Sequence, residues 1–531
     1  MEPSYLGCSD LYVQFYERTE PTLTNVNLSI KEGEKVLLLG PSGSGKSTLL
    51  QVLSRLIPNT IFAHMKGEVW GPAQKGVLFQ DPDSQFCMLK VDEEIAFSLE
   101  NRGIPPIHMP EMIQTVKEQV GLGDLEGETP IHSLSGGMKQ RLALATILAL
   151  EPDVLFLDEP TSQLDPIGTK EVIDILKQLN ENQTMILIEH KLEGVLEWID
   201  RVILFNDRGE VAADGDPHVI YKEYEQLIEQ YGIWKPRLWP STWEQLLREE
   251  NLDIINRWKR KTRIEKQSHV QPLVTVTDGA LRLGNNTVWS NVNVEINKGD
   301  WVAVMGPNGS GKSSFLKTIM GLCTLKEGFV NYHFPFHSQK KAIRPEVLSK
   351  SIGFVFQNPE HQFVTDSVED EISFVGKVEG WSEKKTMERT EQLIEEFSLS
   401  HLRKANPYTL STGQQRRLSV ASMLLKKHEV LLLDEPAFGQ DARMTDELAK
   451  RINTLNEQET TIVMTTHDVE FAYQYANKLI IFAEGGLLFA GSPEELFSNS
   501  PLLKRAKLHE PLYIEYVKRK RIPEEKGVVF S

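Results

Sequence analysis

Three cysteines in 531 residues is a low count, and Cys8, Cys87 and Cys323 stand far apart with no CxxC pair. That scarcity argues against a disulfide framework, a zinc site and an iron–sulfur cluster, and it fits a reducing cytosol. Also missing is any run of about 18 apolar residues, so no membrane-spanning helix is expected. The opening residues, MEPSYLGCSD, have no basic region followed by an apolar stretch, so no secretory signal is expected there. Positive charge is not in excess either: the formal net charge is −17. Binding phosphate-rich polymers draws on a basic surface, so no nucleic-acid partner is expected. What remains is ordinary globular composition, 40% hydrophobic and 25% charged, in a chain long enough for roughly two to four domains.

What is present is a repeat. GPSGSGKST begins at Gly40 and GPNGSGKSS at Gly306, 266 residues later. Further blocks recur in the same order at 276 or 277 residues: Gln80 with Gln357, Ser135 with Ser411, Asp158 with Asp434, His190 with His467. The extra residues of the second copy are expected in segment 329–350. A duplicated domain explains this ladder. The expected layout is a first domain at 1–230, a connector at 231–270, and a second domain at 271–531 that carries a C-terminal extension. The connector holds Trp234, Trp239, Trp243 and Trp258, is broken by Pro236 and Pro240, and ends in a basic run (Arg257, Lys259, Arg260, Lys261, Arg263, Lys266). It reads either as a solvated linker with one amphipathic helix or as a docking surface for a partner or for lipid headgroups. Basic clusters at 504–507 and 518–521 of the extension carry no chemistry that the sequence names.

Within each copy, short apolar runs end in glycine or carboxylate: VLLLG and WVAVMG, VLFLDEP and VLLLDEP. Each reads as a buried strand, and the stretches between them read as helices. The expected fold class is therefore α/β, with a mostly parallel sheet in each half. Gly40, Pro41, Ser42, Gly43, Ser44, Gly45, Lys46 and Ser47 match G-x-x-x-x-G-K-[ST], with Thr48 next. So do Gly306, Pro307, Asn308, Gly309, Ser310, Gly311, Lys312 and Ser313, with Ser314 next. The glycines let backbone N–H groups converge on phosphate oxygens at the start of a helix. Lys46 and Lys312 are placed to bridge β- and γ-phosphates, and Ser47 and Ser313 to offer a hydroxyl to Mg²⁺. Asp158 and Asp434, ending apolar strands, would be costly to bury unless paired or near a metal. The adjacent Glu159 and Glu435 are candidates to polarise an attacking water.

With these blocks in order, both halves resemble the ABC ATPase family almost end to end. The resemblance implies tandem P-loop domains, each with an antiparallel β subdomain and a helical subdomain, and it implies ATP and Mg²⁺ as ligands. LSGGMKQR and LSTGQQRR are similar to the family's signature segment, which caps ATP on the opposite half. It implies nucleotide-binding roles for Ser135, Gly136, Gly137, Ser411, Thr412 and Gly413, and head-to-tail pairing of the two halves. By the same resemblance Gln80 and Gln357 sense metal and water, His190 and His467 clamp the γ-phosphate, and Asp165 and Asp441 lie at the seam. Tyr16 stands where the family stacks an aromatic on adenine, whereas the matching second-half residue is Arg282. Thr412 replaces a glycine and would crowd a phosphate, so the expectation is two competent sites, with the first one weaker.

The segments QDPDSQF and QNPEHQF resemble the ATPases of energy-coupling-factor and cobalt-type importers. In those proteins this segment lines a groove for a coupling helix, which makes Asp83, Gln85, Glu360 and Gln362 candidate partner contacts. The expected function is ATP-driven import of a vitamin, a vitamin precursor (a thiamine pyrimidine precursor among them) or a metal ion. The work would be done at the cytoplasmic face of the membrane, with a transmembrane coupling subunit and a substrate-binding membrane subunit. A tandem sugar-importer ATPase and a soluble ABC-type translation or stress factor are the alternatives.

Overall fold

The computed structural model describes residues 5–16, 20–162, 164, 166–179, 182–238, 243–249, 255–256, 258–260, 271–284, 286–334, 343–437 and 441–520, without the side chains of 166, 244, 248, 249 and 412. Asp165, Trp239, Pro240, Arg257, Lys261, Arg263, Lys266 and Arg521, all singled out above, lie outside the described residues, as does the side chain of Thr412. The chain divides into two compact units, one of Met1–Pro240 and Asp441–Met444, the other of Ser241–Gln440 and Thr445–Ser531.

Unit one holds strands β1 (Leu6–Gln14), β2 (Leu23–Ile30), β3 (Lys35–Leu39), β4 (His64–Trp70), β5 (Lys75–Leu78), β6 (Val154–Asp158), β7 (Thr184–Ile188), β8 (Arg201–Phe205) and β9 (Val211–Gly215). The central sheet runs β5-β6-β7-β3-β8-β9, and β2-β1-β4 forms a separate antiparallel sheet. The central strands pair in parallel except at the β8–β9 hairpin. Their sequences follow from that placement. KVLLL, VLFLD and TMILI are nearly continuous apolar runs because a parallel strand covered on both faces has no solvent side.

Unit two repeats the plan with β10 (Pro272–Leu283), β11 (Asn286–Asn297), β12 (Trp301–Met305), β13 (Glu327–Tyr332), β14 (Ile352–Val355), β15 (Val430–Asp434), β16 (Thr461–Thr465), β17 (Lys478–Ala483) and β18 (Gly486–Gly491). The order β14-β15-β16-β12-β17-β18 is that of unit one, position for position. Here the antiparallel strands β11-β10-β13 continue the same sheet through one pairing, Ser290 with Gly486. The second-copy insertion holds the end of β13 and a short helix, Pro345–Leu348, where unit one passes directly from β4 to β5.

A helical part packs beside each sheet: Val91–Asn101, Met109–Gln119 and Gly136–Leu148 in unit one, Val368–Val378, Glu383–Glu396 and Thr412–Met423 in unit two. Their apolar faces, such as Ile95, Ile113 and Leu142, or Ile372, Leu393 and Leu418, join the same cores as the sheet strands. No helix among the described residues is long and apolar enough to cross a membrane.

The connector tryptophans that the structure describes are used inside the units. In unit two Trp243 and Trp258 meet edge to face at 6.1 Å, Trp258 is buried, and the Arg519 guanidinium of the C-terminal helix Leu512–Lys520 lies 4.7 Å from the Trp243 ring. Arg260 donates to the Ala476 carbonyl and pairs with Glu494. This packing gives the extension a structural use: it covers the connector's aromatic residues.

Unit two also carries a buried histidine with no counterpart in unit one, where Pro152 stands at the matching place. Burial, then the charge of Lys426, pushes the His428 pKa down to about 4. The folded state therefore holds this ring neutral while the unfolded chain takes up a proton from about pH 6.5 downward. Its contribution is complete above that pH and is lost as pH falls toward 4, at a cost on the order of 3 kcal/mol. In His428→Gln the added loss of melting temperature between pH 6.5 and 4.5 should shrink, as read by thermal melts of the full chain across that range.

Candidate functional site

The decisive loops of each unit leave the C-terminal ends of neighbouring parallel strands, where open α/β sheets form their ligand crevice. The loop Gly40–Gly45 follows β3, the pair Asp158–Glu159 ends β6, and His190 follows β7. In unit two the loop Gly306–Gly311 follows β12, Asp434–Glu435 ends β15, and His467 follows β16.

Each phosphate-type loop closes on a left-handed glycine at the start of its helix, Gly45 at φ 89° and Gly311 at φ 94°. A Cβ on Gly45 would lie 2.6 Å from Leu23 and 2.7 Å from the Thr22 carbonyl, and one on Gly311 would lie 2.6 Å from Trp289. Conformation and space both demand glycine there. The Lys46 ammonium donates to the carbonyls of Gly40 and Pro41, each at 2.9 Å, and Lys312 does the same to Gly306 and Pro307 at 2.9 and 3.0 Å. Burial lowers the Lys46 pKa to about 8, against the pull of Glu159 and Asp158. Thr48 is buried in the helix that follows, while Ser42 and Gly43 of the loop are exposed.

Ser47 donates to Asp158 Oδ1 at 3.2 Å and Ser313 to Asp434 Oδ1 at 2.9 Å. Burial, then the neighbouring Glu159, raises the Asp158 pKa to about 6, and burial raises that of Asp434. Glu159 and Glu435 both sit in the left-handed region, at φ 49° and 50°. Their carboxylates reach the ring nitrogens of His190 at 3.1 Å and His467 at 2.7 Å. Burial works against the Glu159 charge, but His190, then Lys46 and Gln80, hold its pKa below the usual carboxylate range. His190 in turn is raised by Glu159 despite its own burial. A carboxylate held ionised beside an imidazole can accept a proton from water.

The two units differ in the glutamines. Gln80 donates to Glu159 Oε2 at 2.7 Å. Gln357 is exposed, its side chain makes no such bond to Glu435, and its main-chain carbonyl accepts from the buried Arg416. Tyr16 is 78% exposed at the end of β1, and Arg282 lies on the exposed part of β10. Ser135 caps the helix Gly136–Leu148 and accepts from Met138 at 3.3 Å, while Ser411 opens the helix Thr412–Met423 and donates its amide to Gln414 at 3.0 Å. Within either unit no hydrogen bond among the described residues joins Ser135–Gly137 or Ser411–Gly413 to that unit's own phosphate-type loop. Asp441 accepts from the Met444 amide at 2.8 Å.

Two of the proposed partner-contact residues turn inward. Gln85 is tied to Val77 and Phe79, and Gln362 to Ser419 and Ser422, so these glutamines hold the loop. Asp83 and Glu360 stay exposed, with Lys139 at 2.7 Å and Gln415 at 3.3 Å respectively. Sequence reasoning also missed a buried network in unit one. The Glu189 carboxylate accepts from the Thr161 amide and hydroxyl and from the amides of His190 and Lys191, and the Lys191 ammonium donates to Thr161 and Leu164 carbonyls. No motif announces these residues; only the proximity of the β6 and β7 ends does.

The model of the ABC transporter family matches residues 23–162 and 289–438. The chain belongs to that family. It is 37% identical, over 96% of both chains, to a Bacillus subtilis (strain 168) protein provisionally named HMP/thiamine import ATP-binding protein YkoD. It is 35% identical to an ABC transporter ATP-binding protein, also provisionally named, of Methanosarcina acetivorans, over 92% of this chain and 86% of that one. Among solved structures, the archaeal ribosome recycling factor aABCE1, in complex with stalk protein aP1, matches over 96% of this chain and 98% of its own with TM-score 0.59. At 19% identity that likeness concerns the fold alone. As an ABC ATPase with two family regions, the chain binds and hydrolyses ATP.

The residues present fit Mg²⁺, which the family implies. Each ABC half offers a serine hydroxyl and a carboxylate in contact, a hard-oxygen pair. No cluster of three His, Cys, Asp or Glu suited to a metal occurs among the described residues. Glu159→Gln and Glu435→Gln keep shape and remove the candidate base, so each should slow hydrolysis at its own site about 10²- to 10⁴-fold. In single-turnover assays each single variant should retain one active site and the double variant none. Intact turnover in Glu159→Gln together with none in Glu435→Gln would mark the first site as non-hydrolytic.

Proposed function

We propose that this chain powers import of a small nutrient at the cytoplasmic face of the membrane, through a transmembrane coupling subunit and a separate substrate-binding membrane subunit of the energy-coupling-factor type. The observation that carries this reading is a groove of about 340 Å³ in unit two, beside the Gln357–Gln362 segment. Leu322, Phe374, Val378 and Met423 line it together with His361 and Lys426. Phe374 is 40% and Val378 69% exposed, an apolar surface that suits a docked amphipathic helix. A vitamin, a vitamin precursor or a metal ion is the cargo class, and the name of the Bacillus subtilis relative favours a thiamine pyrimidine precursor.

In this reading the halves pair head to tail. Lys46, Ser47, Asp158, Glu159, Gln80 and His190 then work with Ser411, Thr412 and Gly413. Lys312, Ser313, Asp434, Glu435, Gln357 and His467 work with Ser135, Gly136 and Gly137. The loop amides and lysines hold the phosphates, and Tyr16 stacks on the base at the first site. Ser47 with Asp158, and Ser313 with Asp434, hold Mg²⁺, which when bound supplies neutralisation of phosphate charge. Glu159 and Glu435 take the proton of the attacking water; His190 holds Glu159 ionised, and His467, at 2.7 Å, orients Glu435. Because the signature amides meet nucleotide only when the halves close, ATP favours closure by differential affinity, and hydrolysis releases it.

Affinity purification of the tagged chain from detergent-solubilised membranes, followed by mass spectrometry, tests the assignment. A small polytopic membrane protein with a second, substrate-binding membrane subunit is the expected outcome. Phe374→Asp with Val378→Asp should reduce its recovery at least tenfold while leaving ATP binding in place. Ribosomal proteins alone would overturn the transporter reading.

A further inference from the structure

We propose that Thr465 is the positioning residue of the second ATP site, one hydroxyl that sets both Asp434 and the backbone of Glu435. This rests on the reading above that Asp434 faces the metal. On β16, Thr465 is the register partner of Asp434 on β15. Its hydroxyl donates to Asp434 Oδ1 at 2.7 Å and accepts from the Glu435 amide at 2.8 Å. Both residues are almost wholly buried, Thr465 at 0% and Asp434 at 1% exposure, so neither bond is exchanged with water. A single hydroxyl thus uses its proton on the carboxylate and a lone pair on the amide. That amide belongs to a glutamate held at φ 50°.

At the same register in unit one, Asp158 faces Ile188. With no hydroxyl available, the Glu159 amide donates to the Ile188 carbonyl at 2.8 Å, and the Asp158 carboxylate has Ser47 as its hydroxyl partner. Ser313 binds the same Oδ1 of Asp434 that Thr465 does. A serine called to a metal is drawn from the carboxylate, and Thr465 then keeps that oxygen aimed. Hydrogen bonds to a ligating carboxylate from behind typically change metal affinity 10- to 100-fold when removed. The second site should accordingly hold a divalent cation more tightly than the first. Ile188 shows that an apolar residue is tolerated at this register, so the exchange is not bound to unfold the sheet.

The experiment titrates Mn²⁺ into the full-length chain carrying Glu159→Gln and Glu435→Gln, with ATP present, and follows free Mn²⁺ by electron paramagnetic resonance. ATP affinity is measured separately in EDTA. Thr465→Val should weaken one of the two Mn²⁺ equivalents about 10- to 100-fold, leave the other in place, and leave metal-free ATP affinity unchanged. Thr465→Ser, which keeps the hydroxyl, should restore the tight equivalent, and Thr465→Ala carries the same expectation as valine should valine pack badly. Unchanged Mn²⁺ binding, or parallel loss of metal and metal-free ATP binding that serine does not restore, would overturn the proposal. A parent chain with no ATP-dependent Mn²⁺ binding would overturn the metal reading and this inference with it.

Discussion

Each half is arranged around a carboxylate at the end of an apolar strand, half-buried at Asp158 and buried at Asp434. Asp158 and Asp434 close apolar strands that lie one place in from the end of the sheet, where an unpaired charge would cost several kcal/mol. The surroundings answer that cost with directed groups: in both halves a serine at the first turn of the helix after the phosphate-type loop, and in unit two a threonine from the adjacent strand. Because the strands are parallel and neighbouring, the same strand ends also deliver the phosphate-type loop and the histidine. The left-handed glutamate after each aspartate turns the chain toward that histidine. Strand order, buried charge and left-handed turn are thus one arrangement, seen at three scales.

The halves share topology but differ in how they support it. Unit one holds Glu159 with Gln80 and His190, and ties the His190 loop to Thr161 through the fully enclosed carboxylate of Glu189. Unit two has Thr466 and Ala437 at the places of Glu189 and Thr161. It relies on His467, Thr465 and the buried guanidinium of Arg416, which holds the Phe356 and Gln357 carbonyls. The two halves share the loop lysine and serine, the strand-end aspartate and glutamate and the following histidine, while the residues behind them differ. Buried polar layers of this kind act as all-or-none units, so partial mixing of the two solutions would leave unsatisfied groups.

Part of the connector's aromatic area is used inside unit two: Trp258 is buried, Trp243 packs on it, and Arg519 covers Trp243. Aromatic area of this size is worth more inside than outside, and a guanidinium stacked on an indole serves as its lid. One surface that does expose apolar side chains lies at Phe374 and Val378, beside the Gln357–Gln362 segment.

Much of the candidate site was legible in the sequence because its signals are local. A glycine-rich loop ending in Lys-Ser, a DE pair after an apolar run and a histidine after the next such run each need only a few consecutive residues, and their repetition removed coincidence. Parallel strand character was legible for the same reason, from unbroken apolar runs. What tertiary structure decided is whatever depends on register or packing between distant segments. That Thr465 faces Asp434 while Ile188 faces Asp158 follows from pairing strands about thirty residues apart. That Gln85 and Gln362 turn inward follows from how each loop seats, Gln85 on the Val77 carbonyl of β5 and Gln362 on a helix of the helical part. A linear motif specifies which groups are available; only the three-dimensional register specifies which two of them share a hydrogen bond.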